Sequence, residues 1–428
     1  MDQRLSRILP AEEQLAGRIG EKRLHICHLG KFYAPALGGM ETHVRTLAQA
    51  QAKSGAQVHV VCVNHVGQSG RDVTWRRFRT TRSAEEWDGP VRVTRLGRWA
   101  SFARFEVCPK MLGLVKRLIA FGTDVFHLHV PNPTMLLALA FVRRPPPLVI
   151  TYHSDVVRHR VLARAVRPFE HVVFTRAREI LSNSPNYQAG SSLLQQYADK
   201  VQVLPMGLDL EPYYHPSSAA LDHARRLRTE LGCPLWLMVG RLVYYKGIHD
   251  ALHALKRVPG KLLLIGTGPL EAALRRLARE LLIEDRIVWR GQASADEVAG
   301  AYQAATALWF PSNARSEGFG LVQVEAMASG CPVINTAIPA SGVSWVSRHD
   351  ETGLTIPMND WAALAEAANR LLTEPGLRER LAAAALKRAR QEFDDRIMAE
   401  RSLAIYRNVL ARSAGRSSHF PQERRAIA

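Results

Sequence analysis

Two glutamates with seven residues between them bracket a glycine-bearing turn in the stretch Ser316-Glu317-Gly318-Phe319-Gly320-Leu321-Val322-Gln323-Val324-Glu325-Ala326-Met327. Carboxylates accept hydrogen bonds from sugar hydroxyls, whether of a ribose or of a hexose. A helical pattern follows the turn, and Glu325 falls about one turn into it. Two surface glutamates at helical spacing would show the same interval, but the Gly-Phe-Gly insert argues for a ligand loop. Upstream, Gly240-Arg241-Leu242-Val243-Tyr244-Tyr245-Lys246-Gly247 follows an apolar run at 235–239. Arg241 and Lys246 thus stand at the carboxyl end of a strand, where open α/β sheets bind ligands. Two fixed cations suit a diphosphate: the guanidinium grips it through paired donors, and the ammonium acts as a point charge. A solvated loop with two ordinary surface cations is the competing reading.

Near the N-terminus, Gly38-Gly39-Met40-Glu41 follows the first apolar run and opens a helix. Glycines let backbone N–H groups approach a phosphate, and a helix N-terminus favours negative charge. The pattern is not G-x-G-x-x-G, so it does not imply a dinucleotide, and it also fits a plain turn. His127 and His129 form H-x-H in a strand and share one face. That pair could hold a metal, but no third ligand stands at a recognisable spacing, so no metal is expected.

The elements that must position these groups alternate. Apolar runs at 24–29, 58–63, 125–128, 148–151, 180–182 and 201–204 read as strands separated by helical segments. A second set follows at 235–239, 262–265, 287–289, 307–310, 332–335 and 354–356. Repeated strand–helix–strand order argues for parallel α/β sheets. The expected fold is two Rossmann-like domains facing each other across a cleft. The expected division is an N-terminal extension (1–22), a first domain (23–212), a second domain (213–390) and a C-terminal helix packing back on the first domain with a basic tail (391–428). The stretch 211–220, with Pro212, Pro216 and two serines, reads as the linker. Residues 71–105 interleave arginines with Trp75, Phe78, Trp87, Trp99, Phe102 and Phe105 and read as an insertion.

Lys plus Arg outnumber Asp plus Glu by 57 to 39, a net charge of +18, which favours anionic partners. No zinc finger, RNP-like motif or helix-turn-helix is present, so nucleic acid is not the expected partner. The basic amphipathic stretch at 156–169 and the arginine-aromatic segment suit an anionic membrane surface, or else a solvated basic face. Five cysteines without a C-x-x-C pair argue against a disulfide framework or zinc site and for a reducing compartment. Without a signal peptide or an apolar run long enough to span a bilayer, the expectation is a cytoplasmic chain, peripheral on the inner face of the membrane at most.

Together these motifs resemble the family 4 retaining glycosyltransferases of the GT-B fold, over about residues 22–408. The resemblance includes Val203-Leu204-Pro205-Met206-Gly207-Leu208-Asp209, with Met206 where the family usually has Asn, Gly266-Thr267-Gly268-Pro269, and Tyr152-His153-Ser154-Asp155. It implies that Arg241 and Lys246 hold the donor diphosphate, that Gly39 adds backbone contact, and that Glu325 binds the donor ribose. Glu317, Gly318, Phe319, Gly320 and Leu321 would line the transferred sugar. His153 would face the reacting centre, with Glu41 and His129 on its acceptor-side rim. It further implies a metal-independent, cofactor-free reaction with retention by front-side attack. The implied substrates are a nucleotide-sugar, with GDP-mannose leading, and a lipid-linked glycan acceptor, as for bacterial mannosyl- and rhamnosyltransferases of surface-polysaccharide assembly. An epimerase or a phosphorylase on the same fold is the alternative chemistry.

Overall fold

The computed structural model describes residues 23–36, 38–65, 81–102, 105–154, 160–413 and 415. The N-terminal extension, residues 71–80, 103 and 104 of the arginine-aromatic segment, Asp155 with residues 156–159 of the basic stretch, and residues 416–428 of the tail lie outside them.

Two sheets organise the chain. The first has the order β10-β9-β8-β7-β1-β2-β4-β3. Its strands are β1 (His25–Leu29), β2 (Gln57–Val63), β3 (Ala84–Asp88), β4 (Val91–Leu96), β7 (Val125–Val130), β8 (Leu148–Tyr152), β9 (Glu179–Ser182) and β10 (Val201–Val203), while β5 (Ala100–Phe102) and β6 (Phe105–Val107) form a separate hairpin. The second sheet, β13-β12-β11-β14-β15-β16, is wholly parallel. It comprises β11 (Leu235–Val239), β12 (Lys261–Ile265), β13 (Ile287–Gly291), β14 (Ala307–Phe310), β15 (Val333–Thr336) and β16 (Gly353–Ile356). Central strands such as β11, Leu-Trp-Leu-Met-Val, are apolar on both faces because helices cover both faces of the sheet.

Strand order reverses once in each sheet. In the first, the chain builds outward from β1 through β2, then returns to β7 on the other side; in the second, β11 and β14 play the same parts. These reversals leave crevices at the carboxyl ends of β1/β7 and β11/β14, where such sheets take ligands. The crevices are filled by the loops singled out in the sequence.

The arginine-aromatic segment needs correcting. Within its described part, β3 and β4 belong to the main sheet, while β5 and β6 form the separate hairpin. β4 pairs in parallel with β2 inside the main sheet, and β3 adds the antiparallel edge. The arginines hid the strand. Arg95, on β4, is buried because Glu86 on β3 neutralises it through contacts of 2.6 and 2.9 Å. Arg98 is likewise fully buried against Glu106 at 3.2 Å. Buried cations need such partners, and here carboxylates on neighbouring strands, Glu86 on β3 and Glu106 on β6, supply them.

The expected linker at 211–220 is largely helical, over Glu211–Tyr214 and Ser218–Leu231. The chain passes between the sheets earlier, just after β10. It returns at 393–395, where Leu208 N donates to Phe393 O and Asp395 N donates to Leu208 O, both at 2.9 Å. Gly207 makes this crossing possible: a Cβ there would lie 2.9 Å from Asp394 O. The helix Asp395–Ser413 then packs on the first sheet. Met398, Leu403, Tyr406 and Val409 complete a core with Ile26, Leu47, Val125 and Val149. No helix among the described residues is long and apolar enough to cross a membrane.

Candidate active site

The loop after β11 carries the two cations. Gly240, at φ +143°, turns the chain off the strand, and Lys246 folds back so that its Nζ lies 3.7 Å from where a Cβ on Gly240 would sit. The ammonium sits 4.8 Å from the centroid of the Phe310 ring and 2.5 Å from Glu317 Oε2. Lys246 and Glu317 are both mostly buried, so each neutralises the other. Arg241 is exposed at the mouth of a small pocket lined by Gly240, Leu242, Lys246 and Phe310. Glycine is required behind it, because a Cβ on Gly266 would overlap Gly240 O.

The loop after β14 carries the glutamates. Glu317 also lies 3.5 Å from the Ser312 hydroxyl. Its backbone is pinned: Ser341 Oγ donates to Glu317 O at 2.5 Å, and Gly342 N donates to Gly318 O at 2.9 Å. Gln323, fully buried, donates to Phe319 O at 2.9 Å and accepts from Asn335 Nδ2 at 2.8 Å. The turn is therefore fixed by hydrogen bonds from its own domain, which is the condition for a preorganised site.

Glu325 lies in the helix Leu321–Ala328 and accepts from the Tyr302 hydroxyl at 2.8 Å, with Tyr213 as a second hydroxyl partner. Burial raises its pKa, while the two tyrosine bonds pull the other way. Phe319 departs from expectation. Its ring does not line the cleft but packs in the core, 5.7 Å edge-on to Phe393. Only its backbone is left to face a ligand. Gly320 takes φ +78° beside the Phe310 ring, and Leu321 is half-buried.

Facing these loops is the first domain. Gly39 is exposed at the start of the helix Gly39–Lys53, whose N-cap Gly38 supplies no side-chain cap. Glu41 folds back over Gly38. His153 follows β8, and its carbonyl oxygen lies 3.3 Å from the position a Cβ on Gly318 would take, with Asn183 Nδ2 equally close. The two domains thus meet at Gly318. His129 corrects a second expectation: it is fully buried rather than on the rim, with Nδ1 3.1 Å from His153 Nε2.

Beneath His153 the structure gathers what the sequence scattered. His129 Nε2 stands 3.0 Å from His28 Nδ1, and His28 Nε2 stands 2.8 Å from Gln51 Oε1. Gln51 donates to Ser402 Oγ and Tyr406 Oη, and the Tyr406 hydroxyl sits 2.6 Å from His127 Nδ1. His43 lies beside them with neither ring nitrogen hydrogen-bonded. Burial holds the pKa of His28 near 4 and of His153 near 3, and those of His43, His127 and His129 well below the usual value, so all five rings are neutral at pH 7. Sequence spacing could not have found His28 or His43, which come from another strand and a helix. The tyrosines that hold Glu325 also gave no sequence signal.

Residues 37–212 match the family described as Glycosyltransferase Family 4, and residues 223–388 match Glycosyl transferases group 1. The D-rhamnosyltransferase WbpZ of Pseudomonas aeruginosa is 35% identical over 277 residues, covering 65% of this chain and 71% of that protein. The O-antigen chain mannosyltransferase C of Escherichia coli is 29% identical over 391 residues, covering 90% of this chain and 98% of its own. The fold of Anabaena HepE, solved in complex with UDP, superposes with a TM-score of 0.69 at 20% identity, over 90% of this chain and all of HepE. One wholly parallel and one largely parallel sheet, crevices at both strand-order reversals and these matches agree: the chain belongs to the family 4 glycosyltransferases and has the two-domain GT-B fold.

Proposed function

We propose that this enzyme moves a hexose, with mannose from GDP-mannose as the leading donor, onto a lipid-linked glycan in the assembly of a surface polysaccharide. The observation that carries the reading is the Lys246–Glu317 pair at the β11/β14 reversal, with Arg241 exposed beside it. Loss of the sugar leaves a nucleoside diphosphate with growing negative charge, and Arg241, Lys246 and the Gly39 helix N-terminus oppose that charge from fixed positions. The reaction then needs no metal at the diphosphate. Glu325, oriented by two tyrosines, takes the ribose hydroxyls. The backbone from Glu317 to Gly320 and His153 enclose the transferred sugar, and Glu41 lies on the acceptor side.

Retention by front-side attack is the proposed stereochemistry, with the leaving phosphate taking the acceptor proton. The ion pair supports it, because a carboxylate held by Lys246 at 2.5 Å is poorly placed as a nucleophile. The mannosyl and rhamnosyl activities named for the two relatives support the choice of sugar and pathway. The basic balance of the chain supports work at the inner face of an anionic membrane.

A thermal-shift screen against GDP-, UDP-, dTDP- and ADP-sugars tests the donor, since a ligand bound only by the native state raises the melting temperature. GDP-mannose should give the largest shift, and none with any donor would overturn the reading. NMR of the product's anomeric proton tests retention. A trapped glycosyl–Glu317 adduct would refute front-side attack, and co-sedimentation with liposomes indifferent to anionic lipid would refute the membrane role.

A further inference from the structure

Three imidazoles converge at the base of the acceptor-side wall. His43 comes from the helix Gly39–Lys53, His129 from β7, and His153 from just after β8. One ring nitrogen from each lies within 4.8 Å of the other two. His129 Nδ1 and His153 Nε2 are 3.1 Å apart, and among the described residues each has the other as its hydrogen-bond partner. Two imidazole nitrogens on a tetrahedral zinc stand about 3.3 Å apart, so this pair is already at chelating distance. His43 closes on both, with ring centroids 5.0 Å from His153 and 5.7 Å from His129. It is 1% exposed, yet both of its ring nitrogens lack a partner. A buried polar group with no partner is costly, and a metal would satisfy it.

We propose that His43, His129 and His153 form a binding site for an imidazole-preferring transition metal, Zn²⁺ foremost, with a fourth position left open. The surroundings fit. The other nitrogen of His129 is turned to His28, which is turned in turn to Gln51, the kind of outer support that orients a metal-bound imidazole. A second triple, His28, His127 and His129, is less suited: Tyr406 and Thr151 occupy both nitrogens of His127, and Gln51 occupies one of His28. The site lies wholly in the first domain, whereas Arg241 and Lys246 belong to the second, so it is separate from charge compensation at the diphosphate. Metal held by His153 would stiffen the wall against which Gly318 closes.

The test uses the full chain made without a histidine tag, stripped with chelator and titrated with Zn²⁺ and Co²⁺. One equivalent should bind, Co²⁺ should give the visible absorption of a tetrahedral nitrogen site, and Zn²⁺ should raise the melting temperature. His43→Gln and His153→Gln should each weaken binding at least about tenfold. His253→Gln controls for the surface pair His249 and His253, whose rings lie 4.6 Å apart, and should leave the one tight equivalent unchanged. Circular dichroism of the stripped variants shows whether they are folded; if His43→Gln is not, His153→Gln, at a half-buried position, decides. Stoichiometry below a tenth of an equivalent would overturn the proposal, as would unchanged affinity in a folded His43 or His153 variant, or loss of binding in His253→Gln. None of these readouts depends on which sugar or nucleotide the enzyme uses.

Discussion

Replacing Lys246 with Met separates two jobs that one ammonium performs. It neutralises Glu317 at 2.5 Å, with only 15% and 13% of the two side chains exposed. At an effective dielectric near 20 the gross attraction at that distance is roughly 7 kcal/mol, most of it offset by the desolvation of both groups. Removing one partner leaves the desolvation of the other unrepaid. Breaking a buried pair costs about 3–5 kcal/mol, and residual solvent access at both groups places this one near the lower end, about 3 kcal/mol. Lys246→Met should therefore lower stability by that amount in urea denaturation. Lys246→Met/Glu317→Gln, with no orphan carboxylate, should recover more than half of it. Turnover should behave differently. If Lys246 also meets the departing diphosphate, the single variant loses about 10²–10³ in kcat, the scale of one preorganised charge donor. The double variant should then remain equally slow while folding well. Recovery of turnover in the double variant would show that Lys246 serves only Glu317 and would refute the catalytic assignment.

Other outcomes follow from single contacts. Glu325→Ala should abolish the donor-induced thermal shift and cost about 1–3 kcal/mol, since the buried Tyr302 hydroxyl loses its acceptor; a donor shift equal to the parent's would remove Glu325 from the site. Gly266→Ala should destabilise by about 3 kcal/mol or more, because φ +137° is strained for alanine and its Cβ would overlap Gly240 O. A melting temperature within two or so degrees of the parent would contradict that. Asp395 has its pKa raised to about 6 by burial and by Asp209 and Asp394. Its charged form is thus disfavoured in the fold, a cost present above pH 6 and relieved as pH falls towards the unfolded value near 4. Asp395→Asn should stabilise the chain by about 1–2 kcal/mol at pH 7.5, allowing for partial solvent screening, and the gain should fade by pH 4. A pH-independent difference would place the cause elsewhere.

The second sheet was the more legible half. The runs at 235–239 and 307–310 coincide with β11 and β14, because strands apolar on both faces leave no alternative period to read. β4 was obscured, since Val91-Arg92-Val93-Thr94-Arg95-Leu96 alternates like a solvated edge until Glu86 is seen to neutralise Arg95. At the site, local motifs gave Lys246, Glu317 and Glu325, which cluster around one crevice. They misplaced the Phe319 ring, whose burial depends on Phe393, a residue far along the chain. His127, His129 and His153 stood out in the sequence, but His28 and His43, which complete the histidine cluster, were invisible for the same reason. His28, His43, His129 and His153 lie on four elements that only the strand order brings together.

The paired crossing at Leu208 and Asp394 makes the second domain a cassette spliced into the first. The helix Asp395–Ser413, which seals the first domain's seam of Ile26, Leu47, Val125 and Val149, is synthesised only after the whole cassette. Roughly 190 residues of cassette separate that seam from its cover, which at 5–20 residues per second is about 10–40 s of synthesis. The domain begun first is therefore finished last. The cassette, whose two ends already meet, can complete its own sheet while the seam still waits for Leu403 and Tyr406. On this connectivity the second domain can close before the first is complete, the reverse of the usual N-to-C order.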